Sequence, residues 1–286
     1  MNIASRVARV ALATATAVVA TLSASPQQPQ FSTQIEHVRV DVLVSNRGRP
    51  VTGLRPADFE ILDNGVPQRV EFASFDEIPL NVIIVLDASE SVAGDRLNHL
   101  RAAVHAVVDK LKTGDQAAVI TFSHVLKLPT GLTADFTRVR RALDDVSPEG
   151  QTALVDASFA GMMLAESDVG RTLQIVFSDG LDVSSWLKPD AVLDSAKRSK
   201  AVVYAVSAGK SARFLDDLSS WTGGSVFKVE STKSLSAVFL SILEEFRHRY
   251  LVSYTPQGVA ANGWHTLDVR VKGHTVKARP GYLAGS

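Results

Sequence analysis

Apolar and polar residues alternate over residues 33–45, with Ile35, Val38, Val40, Val42 and Val44 as the apolar members. A period of two predicts a strand. After a turn at Asn46-Arg47-Gly48-Arg49-Pro50, Phe59-Glu60-Ile61-Leu62 and Gln68-Arg69-Val70-Glu71-Phe72 flank Asp63-Asn64-Gly65. Asn-Gly tolerates positive φ, so these segments predict a hairpin. This first region reads as all-β.

The middle of the chain changes period. In Asn81-Val82-Ile83-Ile84-Val85-Leu86 the residues after Asn81 form a continuous apolar run, as expected of a strand covered on both faces of a parallel sheet. Residues 96–111 then show helical spacing through Leu97, Leu100, Val104, Val107, Val108 and Leu111. Further strands are expected at 117–122, 173–177, 201–206 and 225–229. Helices are expected at 136–143, 154–164, from Pro189 to Lys200, at 212–218 and at 235–246. Strands alternating with helices predict a doubly wound, mostly parallel α/β sheet.

Period two returns at 250–254, 266–271 and 276–279. Neither β flank has the length to bury much core alone. The expectation is therefore one small all-β sandwich, built from residues 26–79 and 247–286, with an α/β domain at 80–246 inserted between its halves.

Residues 1–25 stand apart. Arg6 and Arg9 precede an uncharged run at 10–22, and Ser23-Ala24-Ser25 follows. Basic, apolar and small residues in that order are the layout of a secretory signal peptide. The run is shorter than the roughly 20 residues a membrane-spanning helix needs. A retained N-terminal anchor is the alternative. The expected location is exported, periplasmic or extracellular, with no membrane span in the mature chain. The sequence has no cysteine, so no lipid-modified Cys tethers it. Thirty basic residues balance thirty acidic ones, without a long basic block. Nucleic-acid and anionic-membrane binding have little electrostatic support.

Candidate chemistry begins where the first buried strand ends, at Asp87-Ala88-Ser89-Glu90-Ser91. Open α/β sheets bind ligands beyond the carboxyl ends of their strands, at a topological switch point. A D-x-S-x-S turn there offers one carboxylate and two hydroxyls, although a serine can equally cap the next helix. Gly150-Gln151-Thr152 places a threonine on the loop before another helix, and Phe177-Ser178-Asp179-Gly180 ends a second apolar strand with a carboxylate.

Together these segments resemble the von Willebrand factor A domain family, whose metal-ion-dependent adhesion site combines D-x-S-x-S, a separate Thr and a later Asp followed by Gly. The resemblance implies hydroxyl ligands from Ser89, Ser91 and Thr152, with Asp87 and Asp179 acting largely through metal-bound water. Mg²⁺ prefers six hard oxygen donors, and Mn²⁺ or Ca²⁺ also accept them. It further implies a position at which a protein ligand's Asp or Glu completes the shell. Many family members have Gly where this chain has Glu90; that third carboxylate strengthens cation binding, crowds a ligand or faces solvent. Asp182, three residues after Asp179, reads as a loop-stabilising residue rather than a ligand. Val51-Thr52-Gly53-Leu54, Asp63-Asn64-Gly65-Val66-Pro67-Gln68 and Arg279-Pro280-Gly281-Tyr282 are similar to an exported, acidobacterial-type subgroup of the family.

The function so implied is a divalent-cation-dependent protein-binding module for adhesion or assembly. The alternative is a structural cell-envelope module whose metal only stabilises the fold. A hydrolase is the rival from another class, but G-x-S-x-G and H-E-x-x-H are both missing. No histidine stands near the serines in sequence. The reading is of a non-enzyme.

Overall fold

The computed structural model describes residues 37–75, 78–166, 170–209 and 213–285. The expected signal peptide at 1–25 lies outside them. The first flank contributes β1 (Val38–Asn46), β2 (Arg49–Pro50), β3 (Phe59–Asp63), β4 (Val66–Gln68) and β5 (Val70–Ser74). The middle runs β6 (Leu80–Asp87), α1 (Asp95–Val108), β7 (Gln116–Phe122), β8 (Leu126–Thr133), α2 (Phe136–Asp144), α3 (Leu154–Ala165), β9 (Arg171–Ser178) and α4 (Pro189–Ala196). It continues with β10 (Val202–Ser207), α5 (Arg213–Thr222), β11 (Val226–Lys228) and α6 (Leu235–Arg247). The last flank holds β12 (Tyr250–Tyr254), β13 (Gly263–Val271), β14 (Thr275–Lys277) and β15 (Gly281–Ala284).

The middle segment forms a six-stranded sheet in the order β11-β10-β9-β6-β7-β8. All neighbours are parallel except β8, which runs antiparallel to β7 at the edge. Every residue of β6 is buried, because helices cover both faces. Val82, Ile84 and Leu86 point into a core lined by α1 and α6, with Leu100, Val104, Phe239 and Ile242. Ile83 and Val85 point the opposite way, towards α3, α4 and α5, meeting Leu154, Met162, Val192 and Leu215. The continuous apolar run is thus two alternating sets, each serving its own core.

The chain builds β7 and β8 on one side of β6, then crosses to lay β9, β10 and β11 on the other. The switch point lies between β6 and β9, so the carboxyl ends of these strands open the crevice where such sheets bind ligands. Strand β8 was not among the expected elements. Its Leu126, Lys127, Leu128, Pro129 sequence breaks the alternation, and its register against β7 shifts twice. Proline without an N–H is tolerated at such an edge.

The flanks form two antiparallel sheets, β14-β1-β12-β5 with β2 on β1, and β15-β13-β3-β4. First-flank and last-flank strands pair directly: Val40 sits opposite Val252, and Ile61 opposite Val269. One apolar cluster, including Val40, Val42, Ile61, Tyr250, Val252 and Leu267, draws on both sheets. The expected hairpin turns at Asn64 (φ 48°) and Gly65 (φ 80°), both in the left-handed region a type I′ turn needs. Its second arm is split at Arg69. β4 stays beside β3, while β5 leaves to pair with β12 in the other sheet.

Polar contacts join the flanks to the α/β segment. Arg249 is fully buried and donates to the Tyr204 hydroxyl (3.0 Å) and to the carbonyls of Asp41 (3.3 Å) and Gly223 (2.6 Å). Arg171 donates from Nε to Asp41 at 2.7 Å. Arg279 reaches across to the end of α4, donating to the carbonyls of Ser199 (2.9 Å), Lys197 (2.7 Å) and Ala196 (3.3 Å). Among the described residues, no helix is long and apolar enough to cross a membrane.

Candidate metal centre

Strand β6 delivers Asp87 to the switch point almost wholly buried, and the chain turns there. One oxygen of Asp87 accepts the Ser89 amide (2.9 Å), and the other accepts the Ser178 hydroxyl (2.9 Å) from the end of β9. Burial pushes the pKa of this carboxyl up, and the nearby Asp179 charge adds to that. The bonds from Ser89 and Ser178 work against it. A short 3₁₀ turn, Glu90–Val92, then carries Ser91 over the crevice. Gly94, at φ 74°, turns the backbone into α1 through a conformation that strains other residues.

The Ser89 and Ser91 hydroxyls lie 3.0 Å apart. Ser91 donates to one oxygen of Asp179 (2.7 Å), and Arg96, in the first turn of α1, donates to the other (2.6 Å). The same guanidinium nitrogen reaches the Ser91 carbonyl at 3.1 Å. Asp87, Ser89, Ser91 and Asp179 therefore form one connected string across the ends of β6 and β9.

Backbone bonds bring the third loop alongside. The Glu90 amide donates to the Gly150 carbonyl (3.1 Å), the Glu149 amide to Ala88 (2.8 Å), and the Ala153 amide to Ser123 (2.9 Å). Gly150 sits at φ 61°, and a Cβ there would fall 2.0 Å from Nδ1 of His124. Only glycine fits, and Thr152 follows two residues later. A Cβ on Gly180 would stand 3.7 Å from the Thr152 hydroxyl oxygen, so Thr152 adjoins the loop that leaves Asp179. All five expected ligand residues are thus at one end of the sheet.

The two modulators diverge. Glu90 is exposed. One Asp182 oxygen accepts the Val155 amide (3.2 Å) and the Ser185 hydroxyl (2.5 Å), fastening the following loop to α3. Three residues of the crevice were not anticipated. Ser178 could have been noticed as a hydroxyl at the same strand end as Asp179. Arg96 gave no signal, because an arginine in a first helical turn ordinarily faces solvent. His124 comes from the β7–β8 connection and becomes a neighbour only through the fold.

Among the described residues, no three His, Asp or Glu side chains converge in a way that would hold a metal. A cation here must be held by mixed donors, and Asp87, Asp179, Ser89, Ser91 and Thr152 are two carboxylates and three hydroxyls. These are hard oxygen donors whose summed charge matches a divalent ion, so the residues present fit Mg²⁺, Mn²⁺ or Ca²⁺.

A family model described as the von Willebrand factor type A domain matches residues 81–240, more than half of the chain. Inter-alpha-trypsin inhibitor heavy chain H2 of Mesocricetus auratus is 24% identical over 139 residues, 44% of this chain and 15% of the relative's length. The chain thus spans a small part of that curated relative. Proximal thread matrix protein 1 from the mussel byssus superposes with a TM-score of 0.52 at 20% identity. That match, to the protein with a zinc-occupied MIDAS motif, covers 64% of this chain and 49% of the mussel chain. The D319A mutant of the PilB minor pilin from Streptococcus sanguinis gives a TM-score of 0.50 at 12% identity, covering 60% and 62%. These structural likenesses are likenesses of fold.

Proposed function

Because the chain belongs to the von Willebrand factor type A domain family, we propose that it is an exported, divalent-cation-dependent protein-binding module whose ion sits among Asp87, Ser89, Ser91, Thr152 and Asp179. The observation that carries this reading is the string of hydrogen bonds linking the first three of these residues to Asp179 at the β6–β9 switch point. The zinc-occupied MIDAS motif of the mussel matrix protein, on the same fold, supports it.

Each residue has a definable task. Ser91 commits its proton to Asp179 and accepts from Ser89, which leaves one lone pair of its hydroxyl for a cation. Asp179 is thereby held as an acceptor, and Asp87 is oriented by Ser89 and Ser178. Thr152 adds a third neutral oxygen from a loop locked by Gly150. When bound, the cation supplies a Lewis-acidic position at which a partner's Asp or Glu carboxylate replaces water. Glu90, exposed beside that position, tunes access to it. The reading is of a binding module rather than an enzyme, and it rests on the family to which the chain belongs.

We also read the flanks, residues 26–79 and 247–286, as one β-sandwich into which the 80–246 unit is inserted. The β1–β12 and β3–β13 pairings and their common apolar cluster support this. Export rests on the basic-apolar-small order of residues 1–25.

Calorimetric titration of the intact chain with Mg²⁺ tests the site. One ion per chain is expected, with affinity at least about tenfold lower in Asp179→Ala, the scale of losing a charged ligand group. Equal affinity in the two proteins would remove the assignment.

A further inference from the structure

The loop that leaves Asp179 combines two properties rarely found together. Its side chains are apolar and open: Leu181 is 53%, Val183 64% and Trp186 93% exposed. Its backbone, however, is held down. The Val183 and Ser184 amides donate to the Thr152 carbonyl (3.0 and 3.1 Å). The Trp186 and Leu187 amides donate to the two oxygens of Asp156 (2.9 and 2.8 Å), in the first turn of α3. The Asp156 amide in turn donates to the Ser185 hydroxyl at 3.1 Å.

A tryptophan buries 150–250 Å² when it packs, and exposing one on a fastened loop forgoes that stabilisation. Ordered aromatic side chains on a surface are the anchors that dominate protein interfaces, because little entropy is lost when they dock. The patch is also continuous with the candidate metal centre. It starts two residues after Asp179 and hangs from the carbonyl of Thr152. On the other side of Asp179 stands Arg96, its side chain half exposed at 51%. Arg96 is already paired with Asp179, so the positive charge that an acidic segment would meet beside this apolar shelf is the cation's.

Resting on the metal reading above, we propose that the 181–187 loop is the second half of a two-point docking surface. Its occupant is a protein segment that carries a carboxylate within one or two residues of a large apolar side chain. The carboxylate goes to the cation, and the apolar side chain goes to Leu181, Val183 and Trp186. A lipid surface fits less well. Membrane-seeking loops pair aromatic residues with basic ones, whereas residues 178–190 hold Lys188 against Asp179, Asp182 and Asp190.

The test is a peptide array of the form Gly-Ser-x-Asp-y-Ser-Gly, with every residue at x and y, probed with the intact chain in Mg²⁺. Spots with Leu, Ile, Phe, Tyr or Trp at x or y should bind about tenfold more strongly than the spot with Ala at both, as expected of one buried anchor. Trp186→Ser should remove that preference while its calorimetric Mg²⁺ affinity stays at the wild-type value. Binding without an apolar preference, or a preference that survives Trp186→Ser, overturns the proposal and leaves the metal reading standing. A preference that persists in chelator and with Asn in place of Asp shows instead that the metal reading itself has failed, and the two-point surface with it. Sedimentation of the wild-type chain with phosphatidylcholine vesicles, lost in Trp186→Ser, would make the loop a membrane contact and also overturn the proposal.

Discussion

Arg279→Ala probes how firmly the last flank is fastened to the α/β unit. The guanidinium donates to three carbonyls at and just beyond the end of α4, and its Nε donates to the Gly281 carbonyl at 2.6 Å. Helix carbonyls at a C-terminus lack intrahelical partners and carry the negative end of the dipole, so a cation there is doubly favourable. Burial pushes the Arg279 pKa down to about 10, with Asp41 and Glu166 opposing, and the side chain stays charged at neutral pH. A hydrogen bond to a charged donor contributes about 1.5–3 kcal/mol, but the bonds share one group and water replaces some of them. Removing the buried charge also recovers part of the loss. A net destabilisation of about 3 kcal/mol follows. For a chain of this size each kcal/mol lowers Tm by about 2–4 °C, so Arg279→Ala should melt about 6–12 °C below the wild type. Circular dichroism melting of the intact protein in metal-free buffer measures this. Arg279→Lys should fall between, because an ammonium cannot span all three carbonyls. An alanine variant within about 2 °C of the wild type would refute the clamp.

Arg96→Gln should raise Mg²⁺ affinity about threefold, since a half-exposed pair of this kind is worth up to about 1 kcal/mol and competes for Asp179; calorimetry showing weaker binding would mean that Arg96 positions that carboxylate instead. Asp87 has a raised pKa, so the folded state holds its proton more tightly than the unfolded chain. Metal-free stability should therefore decline as pH rises from the ordinary carboxylate range through the raised value, then level off. Asp87→Asn should abolish that slope and stabilise the metal-free fold at neutral pH, while Mg²⁺ binding is lost; urea titrations at several pH values check the first and calorimetry the second. A chain cut after Arg247 should aggregate or lose its first flank to protease, because β1 and β5 then lack β12; residues 78–247 alone should give a cooperative melt.

The α/β layer was legible because its strands are buried on both faces and announce themselves as apolar runs, as at β6 and β10. The residues of the candidate site were legible as a group because each follows such a strand or opens a helix, where chain direction alone fixes which end of the sheet it reaches. Other features depend on tertiary partners that local pattern does not encode. The split of β4 from β5 at Arg69 reflects a choice between two sheets, and alternation reads the same in either. Arg96 looks like a solvated helix residue until Asp179 arrives from 83 positions away. Edge strand β8 carries proline and shifted register, so its periodicity is weak at its source.

The order of strands in the flank sheets has a kinetic consequence. β1 lies between β12 and β14, and both of these strands come from the last forty residues of the sequence. Val40, Val42 and Val44 are therefore synthesised about 200 residues before the strands that will cover their edges, and contacts so distant in sequence form slowly. The parallel sheet has no such wait, since all its strands lie between Leu80 and Lys228. Until the last forty residues arrive, β1 presents two open edges and an apolar face, the combination most prone to pairing with another chain. Premature termination, or any pause before Tyr250, should therefore send this protein into aggregates through its first strand, with the α/β layer already folded behind it.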